Sequence, residues 1–543
     1  MMLAGQMMDR PLLVVPLMQF AADYHGDTAI VTRSVEGQIH RTTYAETYQR
    51  VQKLAHALRA LGIKPGDRVA TLAWNTWRHL ELYYAVAGIG AVCHTVNPRM
   101  PVDQMAYVLS HAGSRLVFFD TTFTPLAVGL KKAVPTLEKV VALCDAANLP
   151  ADAGDVLTYE ELIAPQPAAF DWPSFDENTA ASLCYTSGTT GTPKGVLYSH
   201  RALVLHSYGM ISAIRMGVED IVLPVVPMFH VNAWGMPYAA PLVGAAQVYA
   251  GRAMDGPSLF SLMDDEGVTC AQGVPTIWMG LLAQMKALGR KPKALERVVI
   301  GGAAVPESMV SAFELDFDVE VNHGWGMTET TPMGVINSLK PKYKTLPRAE
   351  QIKTKMKQGR AVFGVDLRIV DDAGRVLPHD GVSAGLLQVR GPWVLKSYFK
   401  EEAKEGAGPL TADGWFSTGD IATLDGDGYL HITDRAKDII KSGGEWISSL
   451  DLENAAMGHP DILLAAVIGV EHPRWLERPL LICVAKGAAR PTLAQMNDYL
   501  IQKVPKWWLP DGVEFVDSLP IGPTGKVQKT KLREQFGAYK FAG

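Results

Sequence analysis

The chain has 543 residues, too many for one hydrophobic core, so two or more domains are expected. Hydrophobic residues at 48% and charged residues at 20% fit an ordinary globular protein, and a formal charge of −5 argues against nucleic acid as a main partner. The five cysteines (Cys93, Cys144, Cys184, Cys270, Cys483) show no metal or C-x-x-C spacing and read as buried packing thiols in a reducing cytosol.

The apolar patch Pro11–Met18 is short and interrupted by Pro16, with Arg10 balanced by Asp9 before it. It does not read as a signal peptide, no run reaches membrane-spanning length, and a cytoplasmic location is expected. Residues 12–33 read as a helix and a strand broken at Gly26-Asp27. A helix over Tyr44–Leu61 carries Val51, Leu54, Ala55, Leu58 and Leu61 on one face. Strands at Arg68–Ala73, Gly90–Val96 and Arg115–Phe119 alternate with helices through His79–Ala87 and Met105–His111. This alternation predicts an α/β fold with doubly wound, mostly parallel sheets. The Ala-, Asp- and Pro-rich stretch Asp145–Pro173 reads as surface connection.

Ala180–Tyr185 reads as a buried strand leading into Thr-Ser-Gly-Thr-Thr-Gly-Thr-Pro-Lys-Gly, residues Thr186 to Gly195. A helix is expected next, capped by Ser199. Gly188, Gly191 and Gly195 free backbone N–H groups to face an anion. Thr186, Ser187, Thr189, Thr190 and Thr192 add hydroxyls, and Lys194 adds charge. Together they predict a phosphate grip. It is not a P-loop of the G-x-x-x-x-G-K-[ST] kind, because Thr192 and Pro193 separate Gly191 from Lys194 and Gly195 takes the metal-binding hydroxyl position.

Beyond Gly359, alternating segments around Val365–Val370, Gly385–Arg390 and Asp425–Ile432 read as a small β-rich, barrel-like subdomain over about residues 360–433. The lysine-dense run Lys340–Lys357 reads as a solvated helical face. A boundary at Asp434 opens a mobile α+β domain over residues 434–543, leaving residues 1–433 as the large N-terminal domain. The basic tail Lys529, Lys531 and Arg533 reads as a solvated face.

Several other residues suggest chemistry. On residue types alone, His230 in Pro224–Trp234 reads as a satisfied core histidine, and Asp420 in Trp415–Asp420 as a turn residue. The small-residue turn Gly301-Gly302-Ala303-Ala304 suits a flat ring or tight packing equally. In Asn322–Glu329, glycine-flanked Trp325 suits base stacking and Thr328-Glu329 suits phosphate with a divalent metal, although a lone loop carboxylate is commonly just solvated.

Taken in order, the loop Thr186–Gly195 and six later segments resemble the adenylate-forming superfamily of acyl-CoA synthetases, luciferases and peptide-synthetase adenylation domains. The likeness runs from about residue 25 to about residue 536, and is nearest to the medium-chain fatty acyl-CoA synthetase branch, close to the 3-methylmercaptopropionate-CoA ligases. The resemblance implies ATP, Mg²⁺ and CoA. Thr186–Gly191 and Lys194 would hold phosphates; Gly302, Ala303, Ala304 and His323–Thr328 would surround the nucleotide. Trp325 takes the family's tyrosine position, keeping the stack but losing the phenol hydrogen bond. Glu329 becomes the Mg²⁺ ligand, Asp420 the ribose ligand, Arg435 a ribose and phosphate contact, and Lys526 the catalytic lysine. Thr186, Glu329 and His230 are also expected in catalysis, with His230, Trp234, Gly301, Gly302, Met327 and Met333 bordering the acyl pocket. Lys437 is the expected hinge, and Ser442, Gly443, Gly444, Glu445, Trp475 and Trp507 the CoA side.

These residues imply a two-step reaction giving acyl-CoA, AMP and pyrophosphate through an acyl-adenylate, with a medium-chain fatty acid as substrate. A 3-methylmercaptopropionate or other short-chain ligase is the alternative, and a non-catalytic nucleotide-binding module is the alternative from another class. Expected partners are a carboxylic acid, ATP and CoA, with a homodimer as a possible assembly. No basic residue stands out for holding a second carboxylate on the acid.

Overall fold

The computed structural model describes residues 2–186, 192–401, 408–443, 445–522 and 526–541. Two large sheets organise the N-terminal part. A seven-stranded sheet runs Leu157–Thr158, Lys139–Ala142, Ser114–Phe119, Arg68–Leu72, Val92–Thr95, Ala180–Tyr185 and Gly195–Ser199, all parallel except the last pair. A nine-stranded sheet has a parallel centre that includes Ile221–Pro224, Cys270–Gly273, Arg297–Ile300 and Glu320–Gly326, with antiparallel pairs at both ends. Both sheets carry their apolar strands inside, as crossover helices on both faces require. Helix starts follow local chemistry: Thr43 and Glu46 form a capping box before Tyr44–Ala60, and Ser199 caps His200–Ile214. All five cysteines are buried and free.

The phosphate-type loop is not a strand-to-helix turn. Tyr185 pairs with Gly195 at the head of an antiparallel hairpin, and the expected helix begins only after the strand Gly195–Ser199. Lys194 N–H donates to Thr186 Oγ1 (3.2 Å) and Thr186 N–H to the Lys194 carbonyl (2.8 Å), closing the loop's base. Among the described residues, the loop is flanked by two strands and not by a helix N-terminus.

Three solvated or surface readings hold for most of their residues, but tertiary partners draw particular members inside. Within Asp145–Pro173, Tyr159 is fully buried, and Glu160 pairs with Arg50 (3.0 Å) and Arg78 (2.7 Å). In the lysine-dense run, Lys355 is buried against Glu314, while Lys357 reaches Asp425 (2.6 Å). In the basic tail, Lys529 pairs with Glu453 (2.7 Å) inside the C-terminal domain.

The β-rich subdomain is an antiparallel sheet of four strands, Asp366–Val370, Gly385–Arg390, Phe416–Leu424 and Leu430–Arg435, in chain order. Its last strand continues through Arg435, so the chain leaves the sheet after that residue rather than at Asp434. The C-terminal part has a five-stranded sheet centred on the long hairpin Ile462–His472 and Leu476–Ala485. Asp434 joins the two parts: its Oδ2 accepts from the N–H and the hydroxyl of Ser449, both at 2.6 Å, at the start of the helix Ser449–Met457. Ser448 Oγ also donates to the Thr433 carbonyl, and Lys529 Nζ to Ser449 Oγ (2.6 Å).

Candidate active site

A cavity of about 1050 Å³ opens where the sheets, the β-rich subdomain and the C-terminal domain meet. Residues far apart in sequence converge on its walls: Thr186 and Lys194, Gly301 and Gly302, Gly324 to Glu329, Arg435 and Lys437, and Lys526. His230, Trp234 and Met333 line it too. Ser187, Gly188, Thr189, Thr190, Gly191 and Gly444 lie outside the described residues.

The polar end is arranged for anions. Glu329 sits on the short turn Thr328–Thr330, whose position is set by three bonds. Tyr198 Oη donates to the Thr328 carbonyl (2.7 Å), Leu395 N–H to the Glu329 carbonyl (2.7 Å), and Tyr398 Oη to Glu329 Oε1 (2.8 Å). Burial raises the Glu329 pKa, and the Tyr398 bond opposes the rise. Among the described residues no cluster of three or more His, Cys, Asp or Glu could cage a metal. A single carboxylate beside an anion site suits Mg²⁺, which takes one or two carboxylates and completes its shell with phosphate and water.

Asp420 lies behind the wall formed by Thr418, Gly419 and Arg435 and is itself buried. Arg435 Nε pairs with Oδ1 (2.9 Å), and Trp325 Nε1–H donates to Oδ2 (3.0 Å). Trp325 has therefore not lost a polar role by standing where the family has tyrosine: its indole N–H holds the expected ribose carboxylate. Burial raises the Asp420 pKa, with Arg435 and Lys526 working against that rise. Lys526 shows the converse: desolvation by the surrounding protein brings its pKa down to about 8, with Arg435 adding to the fall and Asp420 and Glu329 resisting it.

The other end is apolar, with Met210, Val225, Phe229, Trp234, Ile277 and Met333 among its lining. The indole of Trp234 packs against the Gly301-Gly302 turn. A methyl group placed on Gly301 would lie 3.4 Å from Trp234 Cη2 and 2.7 Å from the Gly324 carbonyl oxygen. Val231, Asn232, Ala233 and Trp234 all have φ between 47° and 54°, a left-handed turn that L-residues enter at a cost of about 1–2 kcal/mol each. His230 borders the same end. Burial, Lys526 and Arg99 lower its pKa to about 4, so it is neutral near pH 7. Arg99 and Tyr398 also line the cavity and escaped the sequence reading. Neither sits in a glycine-rich or acidic motif, so only their three-dimensional neighbours mark them.

Some expected residues are not on this wall. Ala303, Ala304 and His323 do not line the cavity, and His323 is buried beside the backbone of Lys355 and Met356. Ser442, Gly443, Glu445, Trp475 and Trp507 are also absent from it. Two of these five, Ser442 and Trp507, meet at Arg478, Gly443 is bonded to Trp475, and Glu445 pairs with Ser442 at the strand edge. Gly443 N–H donates to the Trp475 carbonyl (2.8 Å), and Arg478 reaches Ser442 Oγ (3.2 Å) and the Trp507 carbonyl (2.9 Å).

The chain matches the family model described as AMP-binding enzyme over residues 17–399, and that described as AMP-binding enzyme C-terminal domain over residues 451–526. It is 51% identical to the 3-methylmercaptopropionyl-CoA ligase of Ruegeria lacuscaerulensis, covering 98% of each chain. It is 47% identical to the medium-chain-fatty-acid–CoA ligase of Ectopseudomonas oleovorans, covering 98% of this chain and 97% of the other. The structure of ATP-bound MatB from Rhodopseudomonas palustris superposes with a TM-score of 0.82 at 25% identity, covering 97% of this chain and 100% of MatB. With both family models matched in order and the motif residues gathered on one cavity, the chain belongs to the AMP-binding, adenylate-forming enzyme family.

Proposed function

We propose that this protein is an ATP-dependent acyl-CoA synthetase that activates a medium-chain fatty acid, releasing AMP and pyrophosphate. The observation that carries this reading is one cavity lined both by Lys194, Glu329, Arg435 and Lys526 and by an apolar set that includes Met210, Val225, Phe229, Trp234 and Ile277. A carboxylate is a poor acyl donor, so its oxygen first attacks the α-phosphorus of ATP. Lys526 and Lys194 screen the meeting of two anions, and Arg435 with Asp420 holds the ribose end. Mg²⁺, when bound at Glu329, neutralises charge on the triphosphate. The CoA thiol then attacks the acyl-adenylate and AMP leaves. On this reading the C-terminal domain turns about Lys437 between the steps, replacing Lys526 by the Gly443 side.

The second reading is a short acid such as 3-methylmercaptopropionate. It is favoured by Trp234 closing on Gly301-Gly302, by the lining methionines Met210, Met254, Met327 and Met333, and by the name of the 51% identical relative. We place the enzyme in the cytoplasm, where a second copy as a homodimer partner is part of the proposal. Among the described residues, no helix is long and apolar enough to cross a membrane.

Acid-dependent pyrophosphate release, measured with and without CoA, tests the reading over acids of about three to sixteen carbons plus a thioether and an aryl acid. Highest kcat/KM at medium chain length is expected. A maximum at the short thioether acid selects the second reading. ADP as product, or ATP use indifferent to any acid, overturns the ligase assignment.

A further inference from the structure

The segment Leu395–Phe399 ties together two parts of the polar end that are distant in sequence. At one end, Leu395 N–H donates to the Glu329 carbonyl (2.7 Å). At the other, Phe399 N–H donates to the Gly195 carbonyl (2.8 Å), where the hairpin leaves the phosphate-type loop. A methyl group placed on Gly195 would lie 3.1 Å from Phe399 Cβ, so the strap is pressed against the strand. Tyr398 lies between these anchors and faces the cavity. Its hydroxyl donates to Glu329 Oε1 (2.8 Å), and its ring centroid is 4.6 Å from Lys194 Nζ. Lys194 also pairs with Glu401 (2.8 Å), which follows the strap.

We propose that Tyr398 is a positioning residue for the metal-bearing triphosphate, its hydroxyl aiming Glu329 and its ring steadying Lys194. The inference rests on reading Glu329 as the metal carboxylate. One hydroxyl bond fixes the rotation of that carboxylate and leaves Oε2 for a cation. A partner to a metal-binding carboxylate typically changes affinity ten- to a hundred-fold when removed. The ring contributes separately: an aromatic face attracts an ammonium without neutralising it, so Lys194 can keep this contact when it exchanges Glu401 for phosphate.

Two variants of the full chain separate these parts, Tyr398→Phe and Tyr398→Leu. Mn²⁺ serves as the spectroscopic probe, titrated by EPR into enzyme saturated with a non-hydrolysable α,β-methylene analogue of ATP. Tyr398→Phe should weaken Mn²⁺ binding about ten-fold while leaving metal-free affinity for the analogue unchanged. Tyr398→Leu should show the same metal loss and a further roughly three-fold loss of metal-free analogue affinity. Thioester formation from supplied acyl-adenylate should stay at the parental rate in both. Parental Mn²⁺ affinity in Tyr398→Phe overturns the proposal, as does an equal loss in both half-reactions. Glu329→Gln separates the two levels: if it leaves Mn²⁺ binding intact, the reading of Glu329 fails. If it alone weakens binding, only the role of Tyr398 fails. Should the leucine variant not fold, the phenylalanine variant, which keeps the ring, carries the test.

Discussion

The C-terminal domain shows two faces, and they are built differently. The Lys526 face enters the cavity, where desolvation and neighbouring charges bring the lysine to a pKa of about 8. The Gly443 face is turned away from it and internally bonded: Gly443 is held to Trp475, and Arg478 ties Ser442 to Trp507. One face is poised by electrostatics and the other by a compact hydrogen-bonded scaffold. On the proposed reading of Lys526, the difference teaches that this orientation suits the step that needs a cation beside phosphate. Among the described residues, Ser442, Gly443, Trp475 and Trp507 of the second face are already bonded in place.

The largest test of that contrast removes the cation. Lys526→Ala should lower acid-dependent pyrophosphate release about a hundred- to a thousand-fold, with thioester formation from supplied acyl-adenylate nearly unchanged. Equal losses in both half-reactions would break the division between the faces. The converse variant is Gly443→Leu. Gly443 has φ of 61°, and a Cβ there would meet the Trp475 ring at 2.9 Å. Thioester formation should fall about ten-fold in single-turnover assays while adenylation is spared.

A smaller effect sharpens the electrostatic side. The lysine must be protonated to screen phosphate, and its pKa is lowered to about 8. Adenylation should therefore hold below pH 8 and decline as pH rises through it. Lys526→Arg should flatten that limb of the pH–rate profile, because arginine stays charged. Trp325→Phe keeps an aromatic face but removes the donor to Asp420, and should raise the KM for ATP about ten-fold. A smaller discrimination between ATP and 2′-deoxy-ATP would accompany it. The smallest expected effect is at the apolar end. Trp234→Ala should shift the optimum towards longer acids, with roughly three-fold relative gain per pair of carbons admitted, read from kcat/KM over the acid series.

How legible this was depends on what defines each feature. The crossover helices and parallel strands follow from periodicity, and Tyr44–Ala60 and Ser114–Phe119 fall where their patterns put them. Lys194 stands in a run whose glycines and hydroxyls carry chemical meaning by themselves, whereas Glu329 and Lys526 are singled out only by the family resemblance; all three line one cavity. Asp420 was legible as a carboxylate after a glycine turn, but its bond to Trp325 joins residues 95 positions apart and leaves no local pattern. Lys355 and Lys529 share the composition of solvated lysines, and only Glu314 and Glu453, supplied by other elements, make them interior residues. The strand Gly195–Ser199 was hidden because Val196-Leu197-Tyr198 runs directly into a helix with no intervening break.

The bonds of Asp434 give the domain crossing a mechanical character. Asp434 precedes Lys437, whereas Ser448 and Ser449 follow it. Any turn about Lys437 that carries the helix Ser449–Met457 away must release both Asp434–Ser449 bonds and the Ser448–Thr433 bond together. Lys529 grips Ser449 from the far side, so the segment bearing Lys526 is coupled to the same catch. On the hinge reading, such a joint would act as a detent, seated until these bonds are released together. Withdrawal of Lys526 and release of the catch would then share one threshold, giving the enzyme a ratchet-like alternation instead of a continuous wobble.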